Sequence, residues 1–575
     1  MKEKVLITAA LPYINNVPHM GHIVGSHLPA DVFYRFQRSF GRDAIFIGGS
    51  DEFGTASMIA ARELNTTPKI LVDSLKKVHK EIYDKLSIAY TNFSGTSLPL
   101  HANVTQDFFR KLKDNDFVLE ESGNMLFCEK DNIFLPDRFV TGTCPKCGAE
   151  NANADQCEVC GSVFSPEELL KPKCKFCGST PEMKPSKHLF FDLTKISNKL
   201  SEWIESQKNV WRPHVYAEAK RWITEGLKPR AITRDLNWGV PVPVEGYEHK
   251  VFYVWFDAPI GYISFVKELG EKQYEEYWKN PSTKIYNFIG KDNIPFHTVF
   301  FPAMLLANGT YNMPYNVVGL NFLNYEGKKF SKSKKWGVFC QKLLTSDIDI
   351  DALRAYLVTV IPETKDSDFK WDSFKDNTNS ELVGKFGNLY NRSLNMIQKN
   401  FNGQLDFEIT NETILSDEDK ELIASIKEYP EKIANLFENC EFREAYKAIM
   451  AFATVGNVYI EKQAPWTLIK NGNMEAAKKV LYLALNLAKS LTIVASPVLP
   501  TRCKDIWINQ LNFAGDPTAD DMWKEAGKIS VEKSHKILEP KPLFARVDDE
   551  ILEKLKNHFS EPFEISEFIV GDKKW

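Results

Sequence analysis

Short apolar segments alternate with amphipathic segments in roughly the first two thirds of this 575-residue chain. Four of the apolar segments run into small, polar or acidic residues, and they read KVLITAALPYI, GRDAIFIGGSDEFG, TKIYNFIGKDNIPFH and MPYNVVGLNFL. Segments with helical periodicity, such as TPKILVDSLKKVHKEIYDKL, lie between them. Strands that alternate with helices in this way predict an α/β fold with a parallel, doubly wound sheet.

The predicted strands fall into two groups, at residues 1–115 and 230–322, and a cysteine-rich segment at 116–229 separates them. We therefore predict one nucleotide-binding domain in two halves, with an inserted domain between the halves. Residues 323–375, which include the lysine-rich stretch KKFSKSKKWG, are predicted to form a linker domain.

The pattern changes after about residue 375, because apolar residues there recur at spacings of three and four. One predicted stripe contains Ile433, Leu436, Phe437 and Cys440, and another contains Leu481, Leu487, Leu491 and Val494. These stripes predict an α-helical bundle at residues 376–515. We expect the tail at 516–575, in which VDDEILEKLKNHF has the character of a helix, to fold back on the catalytic half.

Composition narrows the class of protein without naming a partner. The chain is 43% hydrophobic and 26% charged, which is typical of a soluble globular protein. Its net charge of −4 means that any nucleic-acid site must be a local patch. The sequence has no run of about 18 apolar residues, and Pro12 interrupts the segment that a signal peptide would need. We therefore expect a cytoplasmic protein that does not enter a membrane.

Six of the ten cysteines form three C-x-x-C pairs. The first two pairs lie in CPKCGAENANADQCEVCG and consist of Cys144, Cys147, Cys157 and Cys160. Four thiolates at this spacing predict a closed tetrahedral zinc site, which has a structural role because no coordination position is open. The alternative is a set of free or disulfide-bonded cysteines.

The third pair, Cys174 and Cys177, has no fourth pair beside it, so the sequence leaves a second metal there as an open question. Two sulfurs alone make a poor zinc site. The remaining cysteines are isolated in the sequence and are predicted to be small packing residues: Cys128, Cys340, Cys440 and Cys503.

Two further motifs point to phosphate chemistry. His19 and His22 flank Gly21 after the first predicted strand, where a helix begins and its N–H groups attract anions. Lys329 and Lys332 lie in the lysine-rich stretch and can neutralise charge on phosphates. Each motif alone is weak evidence, since a surface histidine pair or a solvated loop has the same appearance.

Taken together, HMGH, KFSKS, VWFDAPIGY, FIGKDNIPFH and the cysteine-rich segment resemble the class I aminoacyl-tRNA synthetases, and among them the branch specific for methionine. The resemblance extends over about residues 3–550, with Met20 and Phe330 as departures within the two signature motifs. It implies a class I Rossmann-like parallel-sheet catalytic domain with an inserted zinc-knuckle connective domain, followed by an α-helical anticodon-binding bundle. It also implies ATP-dependent ligation of L-methionine to its cognate tRNA through a methionyl-adenylate, with release of AMP and pyrophosphate, for translation elongation and initiation.

The resemblance assigns roles to individual residues of the catalytic domain. The residues implied in catalysis are His19, Gly21, His22, Lys329 and Lys332. Those implied in ATP binding are Gly290, Asp292, Ser331 and Ser333, and Mg²⁺ is expected to accompany the ATP. Those implied in methionine binding are Leu11, Tyr13, Asp51, Trp255, Ala258, Pro259, Tyr262, Phe296 and His297. Asp51 is expected to pair with the substrate ammonium, and aromatic rings suit a polarisable thioether.

The resemblance also implies that the bundle reads the CAU anticodon of tRNA(Met) through Asn388, Arg392 and Trp466. Asparagine and arginine reach base edges, and an exposed indole stacks on a splayed base. One zinc ion per chain and a monomeric state are also expected. Two alternatives stay open: a class I synthetase for another amino acid, such as leucine or cysteine, and a tRNA-binding protein without catalytic activity.

Overall fold

The computed structural model describes residues 2–154, 157, 159–160, 162, 164, 168–330 and 336–570. Its centre is a five-stranded parallel sheet with the spatial order Asn316–Leu320, Lys284–Gly290, Lys4–Ala9, Asp43–Ser50 and Asn92–Gly95. The predicted α/β class and parallel sheet are confirmed. The sequence pattern does not predict the edge strand Asn92–Gly95, because its residues NFSG contain no apolar run.

The strand Lys4–Ala9 lies in the middle of the sheet, and Ile7 is paired with Tyr286 on one side and Phe46 on the other. Ile7 faces one hydrophobic core and Leu6 faces a second core, because helices cover both faces of the sheet. Since the strands are parallel, the segments that follow them leave the sheet at one edge. Ligands of open parallel sheets bind at this carboxyl edge.

Helices flank the sheet in chain order. The first helical stretch consists of Met20–His22, the π-helical Ile23–His27 and Leu28–Ser39. Ser26 accepts a hydrogen bond from Ala10 N and donates one to Phe288 O, at 2.8 Å each, and so ties this stretch to two strand ends. Further helices of this part are Thr55–Glu63, Pro68–Lys85, Pro99–Asp114, Val254–Asp257, Gly261–Lys267, Glu271–Tyr274 and Phe301–Asn308.

The cysteine-rich part of the chain forms separate antiparallel sheets. Val118–Cys128 pairs with Glu182–Phe191, and Ile133–Phe134 and Arg230–Ala231 extend that sheet on either side. A smaller sheet consists of Val140–Thr143, Ala152–Asn153 and Leu170–Cys174, and the helices Ser197–Ser206 and Pro213–Glu225 follow. The domain limits at residues 116 and 229 remain predictions.

After the last parallel strand the chain forms a three-stranded sheet of Leu323–Tyr325, Lys328–Lys329 and Ser367–Phe369. The helix Ile350–Thr359 lies in the same part of the sequence. The short strand Lys328–Lys329 leads into the KFSKS motif, in which residues 331–333 lie outside the described residues.

A helical bundle follows, as the sequence predicts. Its helices are Trp371–Asn377, the π-helical Thr378–Gly387, Asn388–Phe401, Asp417–Glu438, Phe442–Gln463, Pro465–Lys470, Met474–Ala495 and Pro500–Asn509. The helix Met474–Ala495 differs from the predicted apolar stripe, because it is buried on all sides from Val480 onward. The neighbouring helices surround it, so this segment is the centre of the bundle rather than part of its surface.

The tail contains the helix Asp549–Ser560, as the sequence pattern predicts. Beyond it, the ring of Phe563 packs against Phe339 with centroids 5.2 Å apart, and Val570 N donates to Ser74 Oγ at 3.2 Å. The last described residues therefore pack on the catalytic half. Throughout the described ranges, every helix is too short or too polar to cross a lipid bilayer.

Candidate active site

The histidine motif opens the helical stretch that follows the first strand. Nδ1 of His19 accepts a hydrogen bond from Gly21 N at 3.1 Å, and Nδ1 of His22 accepts one from His19 N at 3.1 Å. A neutral imidazole that accepts at Nδ1 carries its hydrogen on Nε2. Each ring therefore presents an Nε2–H group, which is the kind of donor that a phosphate oxygen accepts from.

Gly21 leaves room for this arrangement. A Cβ atom at Gly21 would lie 2.8 Å from both Cε1 and Nδ1 of His19, which is closer than side-chain atoms pack. The rings of His19 and His22 are 3.9 Å apart between centroids, so any side chain at Gly21 would displace His19 against its neighbour.

The lysine-rich segment meets the histidine motif, although the two lie far apart in the sequence. The Phe330 ring stacks on the His19 ring, with centroids 4.6 Å apart and an interplanar angle of 15°. Backbone hydrogen bonds of 2.9 and 3.0 Å also join residues 18–20 to residues 338–340. The fold therefore brings the HMGH motif and the start of the KFSKS motif together after the first strand.

Of the other residues predicted to contact ATP, Lys329 is exposed at the end of its short strand. Gly290 ends the strand Lys284–Gly290, and a Cβ atom there would lie 2.7 Å from Asp292 Oδ1. The missing side chain lets the Asp292 carboxylate turn back over the strand end, where the residue stays exposed. Ser331, Lys332 and Ser333 lie outside the described residues, so their positions remain predictions.

Two adjacent acids follow the second strand, and they differ in whether a cation lies beside the carboxyl group. Glu52 is buried, and Lys76 Nζ lies 2.9 Å from its Oε1 atom. Asp51 is also buried, but its Oδ1 atom has no hydrogen-bond partner and no cation pairs with it among the residues that the structure describes. Burial, Asp257 and Glu52 raise the pKa of Asp51 well above its ordinary value. A cationic group on a bound ligand would therefore strongly favour the ionised form of Asp51.

A chain of contacts joins Asp51 to the aromatic residues predicted for the methionine pocket. Tyr13 forms a backbone bridge with Asp51, and its hydroxyl accepts a hydrogen bond from Trp255 Nε1 at 3.1 Å. The Trp255 ring lies edge-on to Phe296, with centroids 4.1 Å apart. Leu11, Tyr13, Trp255, Ala258 and Phe296 are half-buried, whereas Pro259, Tyr262 and His297 are buried.

Tyr262 and His297 form a hydrogen-bonded pair. The Tyr262 hydroxyl is 3.0 Å from His297 Nε2, and His297 Nδ1 is 3.1 Å from Asn293 O. Because a carbonyl only accepts, Nδ1 carries the hydrogen and Nε2 accepts from Tyr262. Burial lowers the pKa of His297 to about 4, so the ring is neutral near pH 7. Asp51 can pair with an ammonium group, and the neighbouring aromatic side chains carry no charge. This combination suits an amino acid whose side chain is neutral.

The four cysteines of the first two pairs come together. Their sulfurs lie within 4.8 Å of one another, with 3.9 Å from Cys144 to Cys160 and 3.8 Å from Cys147 to Cys157. A tetrahedral ion with Zn–S bonds of about 2.3 Å holds its sulfurs about 3.8 Å apart. Gly148 has φ +73° and forms the tight turn that follows Cys147. The donors and their spacing therefore fit zinc.

A second group of possible metal ligands includes Cys128, which is buried as predicted but lies beside other cysteines. Ligand atoms of Cys128, Asp131, Cys174 and Cys177 also lie within 4.8 Å of one another. Cys128 Sγ is 3.5 Å from Cys177 Sγ, and Cys174 Sγ is 3.1 Å from Asp131 Oδ2. The missed signal is CEKD, in which Asp131 stands where a C-x-x-C pair has its second cysteine. Cys340, Cys440 and Cys503 are buried, as predicted.

The three residues predicted to read an anticodon lie near one another on the bundle. The Arg392 guanidinium lies 5.1 Å from the centroid of the Trp466 ring, and its Nη2 is 2.5 Å from Glu461 Oε2. Asn388 Nδ2 donates to Asn457 Oδ1 at 2.8 Å, one turn before Glu461 on the same helix. Trp466 is 40% exposed, so it is not a core residue.

A parallel sheet with these two motifs at its carboxyl edge, followed by a helical bundle with an exposed indole, is the arrangement of a class I aminoacyl-tRNA synthetase. Two family matches agree with this class. The family described as tRNA synthetases class I (M) matches residues 5–394, and the anticodon binding domain of methionyl tRNA ligase matches residues 409–563.

Individual relatives narrow the class. The methionine–tRNA ligase of Christiangramia forsetii is 42% identical over 561 residues, which cover 96% of this chain and 80% of the relative. That of Sulfolobus acidocaldarius is 40% identical over 564 residues, which cover 96% and 97%. The Mycobacterium tuberculosis methionyl-tRNA synthetase in complex with methionyl-adenylate shares the fold, with a TM-score of 0.78 at 22% identity over 95% of this chain and 100% of that chain. This chain belongs to the methionine–tRNA ligase family.

Proposed function

We propose that this chain ligates L-methionine to its cognate tRNA through a methionyl-adenylate, and that it serves translation elongation and initiation. Family membership supports the reaction. The observation that carries the location of the chemistry is the stacking of Phe330, in the KFSKS motif, on His19 of the HMGH motif. This contact joins the two segments to which we assign phosphate binding. The strands that end at Ser50 and Gly290 belong to the same sheet as the strand that precedes the HMGH motif.

In the first step an oxygen of the methionine carboxylate attacks the α-phosphorus of ATP, and the bond to the β-phosphate oxygen breaks as pyrophosphate leaves. The carboxylate is already ionised at neutral pH, so the step needs no general base. The protein aligns the reactants and offsets the negative charge that grows on the phosphates. We assign the second task to the Nε2–H groups of His19 and His22 and to the ammonium groups of Lys329 and Lys332.

The remaining ATP contacts are assigned to residues at the ends of the two motifs. Gly290 and Asp292 are proposed to receive the nucleoside, and Ser331 and Ser333 to bind phosphate oxygens beside the lysines. Mg²⁺ is proposed to enter with ATP and to be held mainly by the phosphates, because this ion favours phosphate and water oxygens over an all-protein cage.

Methionine is proposed to bind with its ammonium group on Asp51 and its thioether among Tyr13, Trp255 and Phe296. Asp51 supplies a buried carboxyl group whose Oδ1 atom has no hydrogen-bond partner among the described residues. Polarisable sulfur packs favourably against aromatic rings. In the second step a terminal hydroxyl of the tRNA attacks the activated carbonyl carbon, and AMP leaves.

The cysteine groups are proposed to hold structural zinc. Cys144, Cys147, Cys157 and Cys160 would supply four thiolates to one ion, as the sequence predicts. The group of Cys128, Asp131, Cys174 and Cys177 offers three thiolates and a carboxylate, so we propose a second ion there. Both sites are closed sets of four donors, and zinc in such sites stabilises the local fold.

The bundle is proposed to recognise the CAU anticodon. Trp466 would stack on an unpaired base, and Asn388 and Arg392 would contact base edges. Arg392 already packs on the indole, so both groups can meet the same nucleotide. We further propose that the enzyme acts in the cytoplasm and that it is a monomer. The apolar tail residues Ile565 and Phe568 pack on its own catalytic half, which supports the monomeric state.

Amino-acid-dependent exchange between ATP and pyrophosphate tests the proposed function. Each of the twenty amino acids is supplied in turn to the purified chain, and labelled pyrophosphate entering ATP is measured. We expect exchange with methionine at a kcat/KM at least a hundredfold above that for any other amino acid. Exchange that is strongest with leucine or cysteine, or no exchange at all, would contradict the proposal.

A further inference from the structure

Residues 561–570 follow the tail helix, and we call them the tail strap. At one end of the strap, Glu561 Oε2 lies 2.8 Å from Lys342 Nζ, in the segment that follows the lysine-rich stretch. At the other end, Phe568 packs against apolar residues of the helix Pro68–Lys85. The strap therefore joins the segment after the lysine-rich stretch to the catalytic half.

Between these two ends, the ring of Phe563 packs on Phe339, with centroids 5.2 Å apart and an interplanar angle of 55°. Phe563 is half-buried, and Phe339 is buried. Phe339 immediately precedes the 3₁₀ helix Cys340–Thr345, and Nε2 of His558, on the tail helix, donates to Lys342 O in this turn at 2.9 Å. The tail therefore holds the segment around Phe339 by a ring contact and by a hydrogen bond to its backbone.

Phe339 also lies against the histidine motif. Its backbone forms an antiparallel bridge with His19, and backbone hydrogen bonds of 2.9 and 3.0 Å lie on either side of the bridge. The two rings meet edge-on, with centroids 6.3 Å apart and an interplanar angle of 81°. Phe330 stacks on the same imidazole at 4.6 Å. Two phenylalanines therefore contact the His19 ring, and one of them, Phe339, is held by the tail.

We propose that Phe563 positions His19 for adenylate formation by packing on Phe339. This inference rests on the proposed function, since it needs the phosphates of ATP at the Nε2–H group of His19. In this account His19 donates to a phosphate oxygen, Phe339 fixes the ring and the backbone of His19, and Phe563 fixes Phe339. Phe339 and Phe563 are therefore positioning residues, and neither is assigned a contact with ATP or methionine.

The bridge between the two backbones gives the direction of the effect. A donor stabilises the transition state only when it lies within hydrogen-bonding distance of the oxygen on which charge develops. Without the Phe563 ring, Phe339 loses its contact with the strap, and a shift of Phe339 moves His19 because their backbones are paired. A small misplacement of this kind slows the chemical step. Since no group that binds methionine or ATP is removed, the effect should appear in kcat rather than in KM.

The experiment measures kcat and the KM values for methionine and ATP in pyrophosphate exchange. We expect Phe563→Ala to lower kcat about threefold to tenfold, which corresponds to the loss of one aromatic pair. Both KM values should stay within about twofold of wild type. Phe563→Tyr is the conservative variant, because it keeps the ring and its hydroxyl can reach water from a half-buried position. It should keep kcat within about twofold of wild type.

Phe568→Ala is the matched control, because it removes the same ring from a half-buried position of the same strap, where the ring packs on the helix Pro68–Lys85. It should lower the unfolding temperature about as much as Phe563→Ala does, but leave kcat unchanged. An equal fall of kcat in the two variants would overturn the inference, because loosening of the whole strap would then explain the effect.

A double variant tests whether the effect passes through His19. In His19→Ala there is no imidazole left to misplace, so adding Phe563→Ala should change kcat by less than about twofold. If Phe563→Ala slows the His19→Ala enzyme by the same factor as it slows the wild type, Phe563 acts by another route and the inference is overturned.

Two further comparisons keep the outcomes distinct. Thermal unfolding identifies any variant that does not fold. If Phe563→Ala does not fold, Phe563→Leu takes its place, since it keeps an apolar side chain without the ring and should lower kcat about threefold. A wild-type kcat in that variant would then overturn the inference.

The proposed function and this inference fail in different ways. A wild-type chain without methionine-dependent exchange would refute the proposed function itself. Normal exchange in the wild type, together with an unchanged kcat in a folded Phe563→Ala, would refute only the role of Phe563.

Discussion

The edge of the sheet to which we assign catalysis and the surface of the bundle to which we assign anticodon binding are built in opposite ways. The catalytic edge combines residues from distant parts of the sequence, and backbone hydrogen bonds hold the rings of His19 and His22 in place. The bundle surface takes Asn388, Arg392 and Trp466 from neighbouring helices, and contacts between exposed or half-buried side chains hold them.

This difference matches the role that we propose for each region. Charge that develops during adenylate formation needs donors whose positions are fixed beforehand. An anticodon loop instead has to be reached, unstacked and read, so its contacts can remain exposed and adjust on binding. The two regions should therefore respond to mutation in separate assays, and the predictions below run from the largest expected effect to the smallest.

The largest effect is expected at the catalytic edge. His22→Asn removes the Nε2–H donor while keeping a polar side chain next to the helix start. We expect the exchange rate to fall at least a hundredfold, about 3 kcal/mol of lost transition-state stabilisation, with the Kd for tRNA unchanged. Pyrophosphate exchange measures the first quantity and filter binding the second. An exchange rate within tenfold of wild type would remove His22 from the phosphate site.

A mutation on the bundle should show the opposite pattern, with tRNA binding weakened and adenylate formation unchanged. Trp466→Ala removes a stacking surface of roughly 1–3 kcal/mol, so we expect the KM for tRNA to rise about tenfold or more while methionine-dependent exchange stays at the wild-type rate. Trp203→Ala, at a half-buried tryptophan outside the bundle, is a control that should leave the KM for tRNA unchanged. If Trp466→Ala lowers exchange and tRNA charging together, the two regions are not separable.

The cysteine groups sharpen the comparison, because they belong to neither region. We expect metal analysis of the purified enzyme to give two zinc ions per chain, and Cys128→Ser and Cys147→Ser each to give one. Loss of either ion should lower the temperature at which the inserted region unfolds. The exchange rate of the folded enzyme should change less. One ion in the wild type, retained in Cys128→Ser, would contradict the second site.

The smallest effect concerns the stacked contact between the motifs. Phe330→Met keeps an apolar side chain on the His19 ring, so we expect exchange within about threefold of wild type. Phe330→Ala removes the ring stacking, which contributes roughly 0.5–1.5 kcal/mol, and should slow exchange up to about tenfold. Equal rates for both variants would mean that the contact does not position His19.

Local sequence carries much of the fold and of the site. The strand Lys4–Ala9 and the helix Asp549–Ser560 are predictable because their apolar periodicity is strong over several residues. The helix Met474–Ala495 shows the limit, since a stripe cannot reveal that neighbouring helices surround the segment completely. The edge strand Asn92–Gly95 is also hidden, because it is set by pairing with its neighbour rather than by its own residues.

The parts of the site that could not be predicted from the sequence depend on tertiary contacts. HMGH and KFSKS are local motifs, but the stacking of Phe330 on His19 exists only once the chain has folded. Cys128 and Cys174 are far apart in the sequence. The antiparallel pairing of Val118–Cys128 with Glu182–Phe191 brings the two ends of the intervening segment together, and with them these cysteines. The contact between Phe563 and Phe339 has the same origin, since the tail and the segment after the lysine-rich stretch supply one residue each.

A crystal structure with a non-hydrolysable methionyl-adenylate analogue tests the account most directly. We predict that the ammonium group of the analogue lies within hydrogen-bonding distance of Asp51 Oδ1, and that the group replacing the phosphate faces Nε2 of His19 and His22. An analogue bound elsewhere, or with its ammonium turned away from Asp51, would contradict the assignment of the catalytic edge.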